Sequence, residues 1–223
     1  MTFSYYSMPV CTVITPTMPQ RHAKLQNACR SLQNQTFKDW THLIVPNGYD
    51  GSLDHAMRQI GHTGQNVRVV PLGRPHPTPG HWNRVLGGLL AETPYVAYLD
   101  DDNLWRPRHL EVLICALEEN PKAGFAYSQA AYIDHVLGDG NIAPGRTVNN
   151  IDASLVVHRV ELLSEIATWD PHHAQGDSYA LDGMLVDYWL RRSVQFVFVP
   201  EITVDYLQVG YWVDGGGALV GAR

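Results

Sequence analysis

Residues 95–105 read Tyr-Val-Ala-Tyr-Leu-Asp-Asp-Asp-Asn-Leu-Trp, an apolar run that ends in Asp100, Asp101 and Asp102. Adjacent carboxylates repel one another, and each is costly to desolvate unless a cation neutralises it. A strand that delivers three of them at its carboxyl end suits a divalent metal. Hard ions such as Mn²⁺ or Mg²⁺ take oxygen ligands and are commonly completed by substrate phosphates. On an extended strand Asp100 and Asp102 share a side, because alternation has period two. These two are the expected metal ligands, with Asp101 a further contact where the strand ends. The competing reading is a loop in which one aspartate caps the next helix and the others face water.

The elements that must position these carboxylates alternate along the chain. A β-rich run covers Val10 to Thr15, and from His22 the residues Leu25, Ala28, Cys29 and Leu32 fall at helical spacing. Strands are expected at His42–Val45, Val67–Val70 and Tyr95–Leu99, with a helix over about His81–Ala91 and another after Pro107. A strand near Gly124–Ser128 follows, then a hairpin or mobile loop over Tyr132–Asn149. The pattern next predicts a strand at Ala153–Val157, a helix at Arg159–Ile166, a helix ending near Leu190, and a strand Gln195–Val199 closed by Pro200. Such alternation implies an α/β fold whose mostly parallel sheet has helices on both faces. Ligands of these sheets bind beyond the carboxyl ends of strands, which puts Thr15–Thr17, Pro46–Asn47 and Asp100–Asp102 on one rim.

Composition narrows the field modestly. The 223 residues suit one domain, and 45% hydrophobic content is ordinary for a globular chain. A net charge of −6 offers no bulk attraction to nucleic acid or anionic membrane. No leader-like segment or bilayer-spanning run is read, so a cytoplasmic location is expected. Cys11, Cys29 and Cys115 lie in predicted strands or helices and are expected as buried free thiols. The pair His172-His173 lacks a chelating spacing and reads as polar loop.

Three motifs in order resemble GT-A glycosyltransferases, family 2 in particular. Leu99-Asp100-Asp101-Asp102-Asn103, with Pro107 opening the next helix, is similar to that family's "Leu-Asp-x-Asp-Asp" element. Ser31-Leu32-Gln33-Asn34-Gln35-Thr36, running into Thr41–Val45, resembles its "Ser-Leu-x-x-Gln-Thr" helix end and second strand. Gly80-His81-Trp82-Asn83 resembles its "Gly-x-x-x-Ala-Arg-Asn" helix start. The resemblance covers about residues 9–205. It implies a single GT-A (Rossmann-like) domain over residues 1–209, with a mostly parallel central sheet flanked by helices. Residues 9–103 would form the nucleotide-sugar-binding half and residues 104–209 the acceptor half, followed by a flexible glycine-rich tail at 210–223.

The implied activity is a metal-dependent, inverting transfer of a sugar from a nucleotide-sugar donor, UDP-sugar by default, to an acceptor hydroxyl. The acceptor class, whether glycan, protein, lipid or another hydroxyl compound, is not written in the sequence. By the resemblance Thr15, Pro16 and Thr17 wrap the nucleoside, Arg21 approaches a phosphate, and Asn83 and Arg84 line the diphosphate. Asp100 would face the ribose or a bridging water and Asp102 the Mn²⁺ or Mg²⁺. The chain departs from the family where Val45-Pro46-Asn47-Gly48 stands in place of "Val-Asp-Asp-Gly". Proline offers no side-chain acceptor to a base, which leaves Asn47 as the candidate reader. Trp82 stands where arginine is common, with Arg84 or His81 as substitutes, and no histidine follows the last strand, so Asp205, Gln208 or water would complete the metal.

Inversion needs a general base. Asp182 is the first candidate and Asp177 the second. Asp187 lies about 130° from the apolar stripe of its helix, against about 90° for Asp182, and is expected to face solvent. A non-catalytic glycan- or nucleotide-binding module and a sugar nucleotidyltransferase are the alternatives, the latter disfavoured by the lack of a glycine-rich basic loop after the first strand. A homodimer through the second half or the tail is a further expectation.

Overall fold

The computed structural model describes residues 9–76, 80–132, 135–145, 151–163, 181–207, 212–213 and 219–220. The first half contains β1 (Cys11–Thr17), α1 (His22–Gln33), β2 (Trp40–Pro46), α2 (Ser52–Gln59), β3 (Val67–Val69), α3 (His81–Leu89) and β4 (Tyr95–Tyr98). The second contains β5 (Asn103–Trp105), α4 (His109–Glu119), β6 (Ala123–Tyr132), β7 (His135–Leu137), β8 (Val156–Arg159), α5 (Leu181–Arg191) and β9 (Gln195–Tyr206). Two short strands, β10 (Trp212–Val213) and β11 (Leu219–Val220), pair antiparallel within the glycine-rich C-terminal segment.

The large sheet runs β3-β2-β1-β4-β8-β6-β9-β5, with β7 added to β6. Its first four strands are parallel, and β8 then lies antiparallel between β4 and β6. The α/β fold with a largely parallel, helix-flanked sheet therefore stands as the sequence predicts. Chain order reverses at β1, which has β2 on one side and β4 on the other. Open α/β sheets place ligands at such a switch point, beyond the carboxyl ends of the strands. Thr17 ends β1, and the three aspartates follow β4.

Two buried clusters hold the sheet to its helices. The larger gathers β1, β4, β6 and β8 with Leu110, Leu113 and Leu117 of α4 and Leu185, Val186 and Trp189 of α5. The smaller lies under α1 and α2 and consists of Leu25, Cys29, Ile44, Leu53, Ala56 and Met57. Cys11 and Cys29 are buried as expected, but Cys115 is exposed. It falls outside the buried stripe of α4, which is set by Leu110, Leu113, Ile114 and Leu117.

The Ser31–Thr36 motif is a clamp between α1 and the segment after the aspartates. The Gln35 amide donates to the Arg106 carbonyl at 2.9 Å and accepts from the Leu110 amide at 3.0 Å. Ser31 Oγ accepts from the Trp105 amide at 3.1 Å, and the Thr36 amide donates to the Pro107 carbonyl at 2.7 Å. The last strand corrects an expectation, since β9 continues past Pro200 to Tyr206. Its pairing jumps from Tyr127↔Phe198 to Gln129↔Ile202, so Pro200 sits in an irregular stretch where no ladder donor is required.

Candidate functional site

Asp100, Asp101 and Asp102 occupy a turn rather than a strand, because β4 ends at Tyr98 and the Asn103 amide folds back to the Asp100 carbonyl at 3.1 Å. Strand alternation therefore does not set their directions. Three cations from α1, α3 and the turn before α1 pair with the three carboxylates, Arg21 serving two of them. Asp100 is bound by Arg84 of α3. Asp102 is bound by Arg21, with Lys24 Nζ at 3.6 Å. Asp101 points inward and is 2% exposed, accepting from Thr17 Oγ1 at 2.7 Å with Arg21 Nη2 at 3.1 Å. Burial pushes the Asp101 carboxyl up to about 7, its two aspartate neighbours add to the rise, and Thr17 and Arg21 oppose it.

The turn is braced from the second half as well. Ser154 Oγ accepts from the Asp100 amide at 3.2 Å and from Asn103 Nδ2 at 2.9 Å. The Asp152 side chain in turn accepts from the Ser154 amide at 2.8 Å. Ser154 and Asp152 carried no sequence signal that sets them apart from any serine or aspartate in a loop. The fit to a divalent ion rests on Asp100 and Asp102. Both are hard oxygen donors with part of their surface open, 18% and 11%, whereas Asp101 is committed to the interior.

Other predicted residues take varied places. Pro16 lies within β1, opposite Val45. Thr15 is fully buried and its Oγ1 lies 2.8 Å from His42 Nε2. Asn47 forms a two-way amide clamp on His76, donating to its carbonyl at 3.0 Å and accepting from its amide at 2.7 Å. Asn83 donates to the Val45 carbonyl at 2.7 Å and accepts from the Gly80 amide at 3.0 Å, tying the start of α3 to the end of β2. Arg84, one residue on, is thereby aimed at Asp100. Asp205 pairs with Arg106 at 2.8 Å on the surface.

Asp182 lies in the first turn of α5, while Asp177, His172, His173 and Gln208 lie outside the described residues. Asp187 is not directed to open solvent. Its carboxylate accepts from the Gly145 amide and pairs with Arg191 at 2.5 Å, which fastens the loop after β7 to α5.

A second constellation, without a signal in the sequence, joins α1, β2 and the segment after α2. Ligand atoms of Cys29, His42 and His62 fall within 4.8 Å of one another, all buried. This compact cluster has the reach to coordinate a metal ion.

The sequence profile of Glycosyl transferase family 2 matches residues 12–150, which include the aspartate turn and all of its cationic partners. The chain belongs to this family. Membership places it among enzymes that transfer sugars. An uncharacterized glycosyltransferase of Acanthamoeba polyphaga mimivirus is 21% identical over 218 residues, covering 83% of this chain and 87% of its own. Among solved structures, S. aureus TarS 1–349 in complex with UDP-GlcNAc is 15% identical with a TM-score of 0.66, covering 88% of this chain and 58% of that one. The mannosyltransferase PcManGT from Pyrobaculum calidifontis, in complex with GDP-Man and Mn²⁺, is 14% identical with a TM-score of 0.65, covering 91% and 58%. These likenesses establish the GT-A-like glycosyltransferase fold. The family-2 chain thus spans less than two thirds of either solved relative. No helix among the described residues is long and apolar enough to cross a membrane.

Proposed function

We propose that this family-2 chain transfers a sugar, with inversion, from a nucleoside diphosphate sugar to an acceptor hydroxyl, assisted by Mn²⁺ or Mg²⁺ at Asp100 and Asp102. The observation that carries the reading is the aspartate turn at the switch point with Arg21, Lys24 and Arg84 gathered around it. Three carboxylates and three cations balance there, so a diphosphate and a divalent ion can enter together by exchanging partners. When bound, the metal supplies electrostatic neutralisation of the leaving diphosphate. Arg21, Lys24 and Arg84 are then available to the phosphate oxygens, through the charge-assisted bonds that arginine makes well. Thr17 and Arg21 keep Asp101 in place beneath the site.

The nucleoside would lie against Pro16, Thr17 and the end of β2, since Thr15 is buried with its hydroxyl on His42. Asn47 has both ends of its amide engaged by His76, so its contribution to base recognition is to shape the loop. The donors in the two solved relatives carry different bases, UDP in one and GDP in the other. UDP-sugar is retained as the donor to test first. Asp182, with Asp177 as the alternative, would take the proton from the acceptor hydroxyl.

Incubation with a radiolabelled UDP-sugar panel and Mn²⁺ should release nucleoside diphosphate by transfer or slow hydrolysis. Release that is absent for every donor, or identical after chelation, contradicts the reading. A second reading, a nucleotide- or glycan-binding module without catalysis, is favoured by the ion pairing of all three aspartates within the protein. It predicts binding without release.

A further inference from the structure

We infer that Cys29, His42 and His62, with Met57 as a fourth donor, form a binding site for one Cu⁺ ion, separate from the aspartate turn. The donors come from three elements: Cys29 from α1, His42 from β2, Met57 from α2, with His62 just beyond it. His42 Nδ1 and His62 Nε2 lie 2.6 Å apart, and Cys29 Sγ lies 3.6 Å from Met57 Sδ. Bonds from imidazole and thiolate to a first-row d¹⁰ ion run about 2.0–2.3 Å, which sets donor atoms about 3.3–3.8 Å apart. The histidines need to part by about 0.7 Å on that geometry, and the sulfur pair is already at the right separation.

Chemistry and charge both select the ion. Thiolate and thioether are soft ligands that favour Cu⁺, and imidazole accompanies them readily. On binding, the Cys29 thiol loses its proton to solvent and the sulfur bonds the metal. The proton shared between the histidines moves to ring nitrogens facing away from the ion, with no net change. One thiolate then balances one Cu⁺, and the site is neutral. Zn²⁺ would leave a net positive charge among groups that are 0–2% exposed, which is costly in an apolar interior. Asp101 does not supply the missing balance, since Arg21 already pairs with it.

Support for the ligands is in place. A metal-bound histidine usually donates its other N–H to an oxygen, and His42 Nε2 has Thr15 Oγ1 at 2.8 Å. Trp40 stacks on the His62 ring with centroids 6.0 Å apart. An entry path exists: a cleft of about 400 Å³, lined by Tyr49, Asp54, Arg58 and Pro71, reaches Met57 and His62.

The test is anaerobic titration of the full chain with Cu⁺ against a chromophoric Cu⁺ chelator. One equivalent should bind, with affinity at least about a hundredfold weaker in Cys29→Ser. Thr15→Val should weaken it about tenfold, the loss typical of a removed outer hydrogen bond. Cys115→Ser and Asp102→Asn should leave it unchanged, so failure of the donor-site reading and failure of this one are distinguishable. Circular dichroism and a rise in Tm with Cu⁺ check that each variant folds and that the ion binds the folded state. Retention of the same affinity in Cys29→Ser, no affinity above that variant's in the parent chain, or preferential uptake of Zn²⁺ would each overturn the inference.

Discussion

At Asp101 the chain holds a carboxylate where a neutral side chain would be easier to bury. Its oxygens accept from Thr17 and face Arg21, so it joins β1 to the turn that bears Asp100 and Asp102. Asp101→Ala would leave the buried Thr17 hydroxyl without its acceptor and remove one of the two carboxylates that pair with Arg21, at a cost of about 1–3 kcal/mol. Asp101→Asn keeps an acceptor for Thr17 and should lose less, and urea unfolding of the two variants measures the difference. Asp102→Asn, by contrast, should preserve Tm and weaken Mn²⁺-dependent donor binding at least about tenfold, since a charge-assisted ligand is replaced by a neutral one. Unchanged affinity in calorimetry would remove Asp102 from the metal site. Asp182→Asn should abolish transfer with donor affinity intact, and surviving transfer passes the role to Asp177. The aspartate run was legible because three adjacent acids are chemically extravagant. Thr15 was not, since a threonine at a strand end looks the same whether it faces a nucleoside or a buried histidine.

Elements were read best where periodicity was long. Strands β1, β2 and β4 and helix α1 stand close to their expected places, because their apolar residues repeat over several turns or pleats. Helix α2 and strand β5 went unread. The first has eight residues and the second three, too few for a period to emerge from polar neighbours. Close packing between elements was also hidden. Helix α3 approaches β1 so nearly that a Cβ on Gly87 would lie 2.5 Å from Ile14 Cγ2. Gly87→Ala gains helix propensity of up to about 1 kcal/mol but overpacks a buried contact at about 1–3 kcal/mol. The second effect should win. Denaturant midpoints should fall, and donor affinity with them, because α3 carries Asn83 and Arg84. A midpoint equal to or above that of the parent chain would show that the helix can shift without strain.

Among the described residues of the whole molecule, four buried histidines whose protonation is suppressed dominate the response to acid. Burial holds His62 and His158 down to about 4 and His109 to about 3, and His42 is lowered as well, with the adjacent His62 contributing. In the unfolded chain each takes its proton near pH 6.5. Their contribution to stability is complete above that pH and declines as pH falls toward 4, at up to about 1.4 kcal/mol per pH unit for each. Asp101 works in the opposite direction. Its raised pKa means the folded state keeps a proton that the unfolded state has lost, so acidification from about 7 relieves it. One carboxyl against four imidazoles leaves a net loss, and Tm should drop steeply between pH 6.5 and 4. A Tm that stays level across that range would show that these rings are charged in the folded protein.

Whether the aspartate turn with its three cations receives a nucleotide and a metal together is decided by thermal-shift titration. UDP, GDP, CDP and TDP are compared with and without Mn²⁺. One nucleotide should raise Tm in a concentration-dependent way when Mn²⁺ is present and do little without it. Equal stabilisation with and without the metal, or none by any nucleotide, would contradict it.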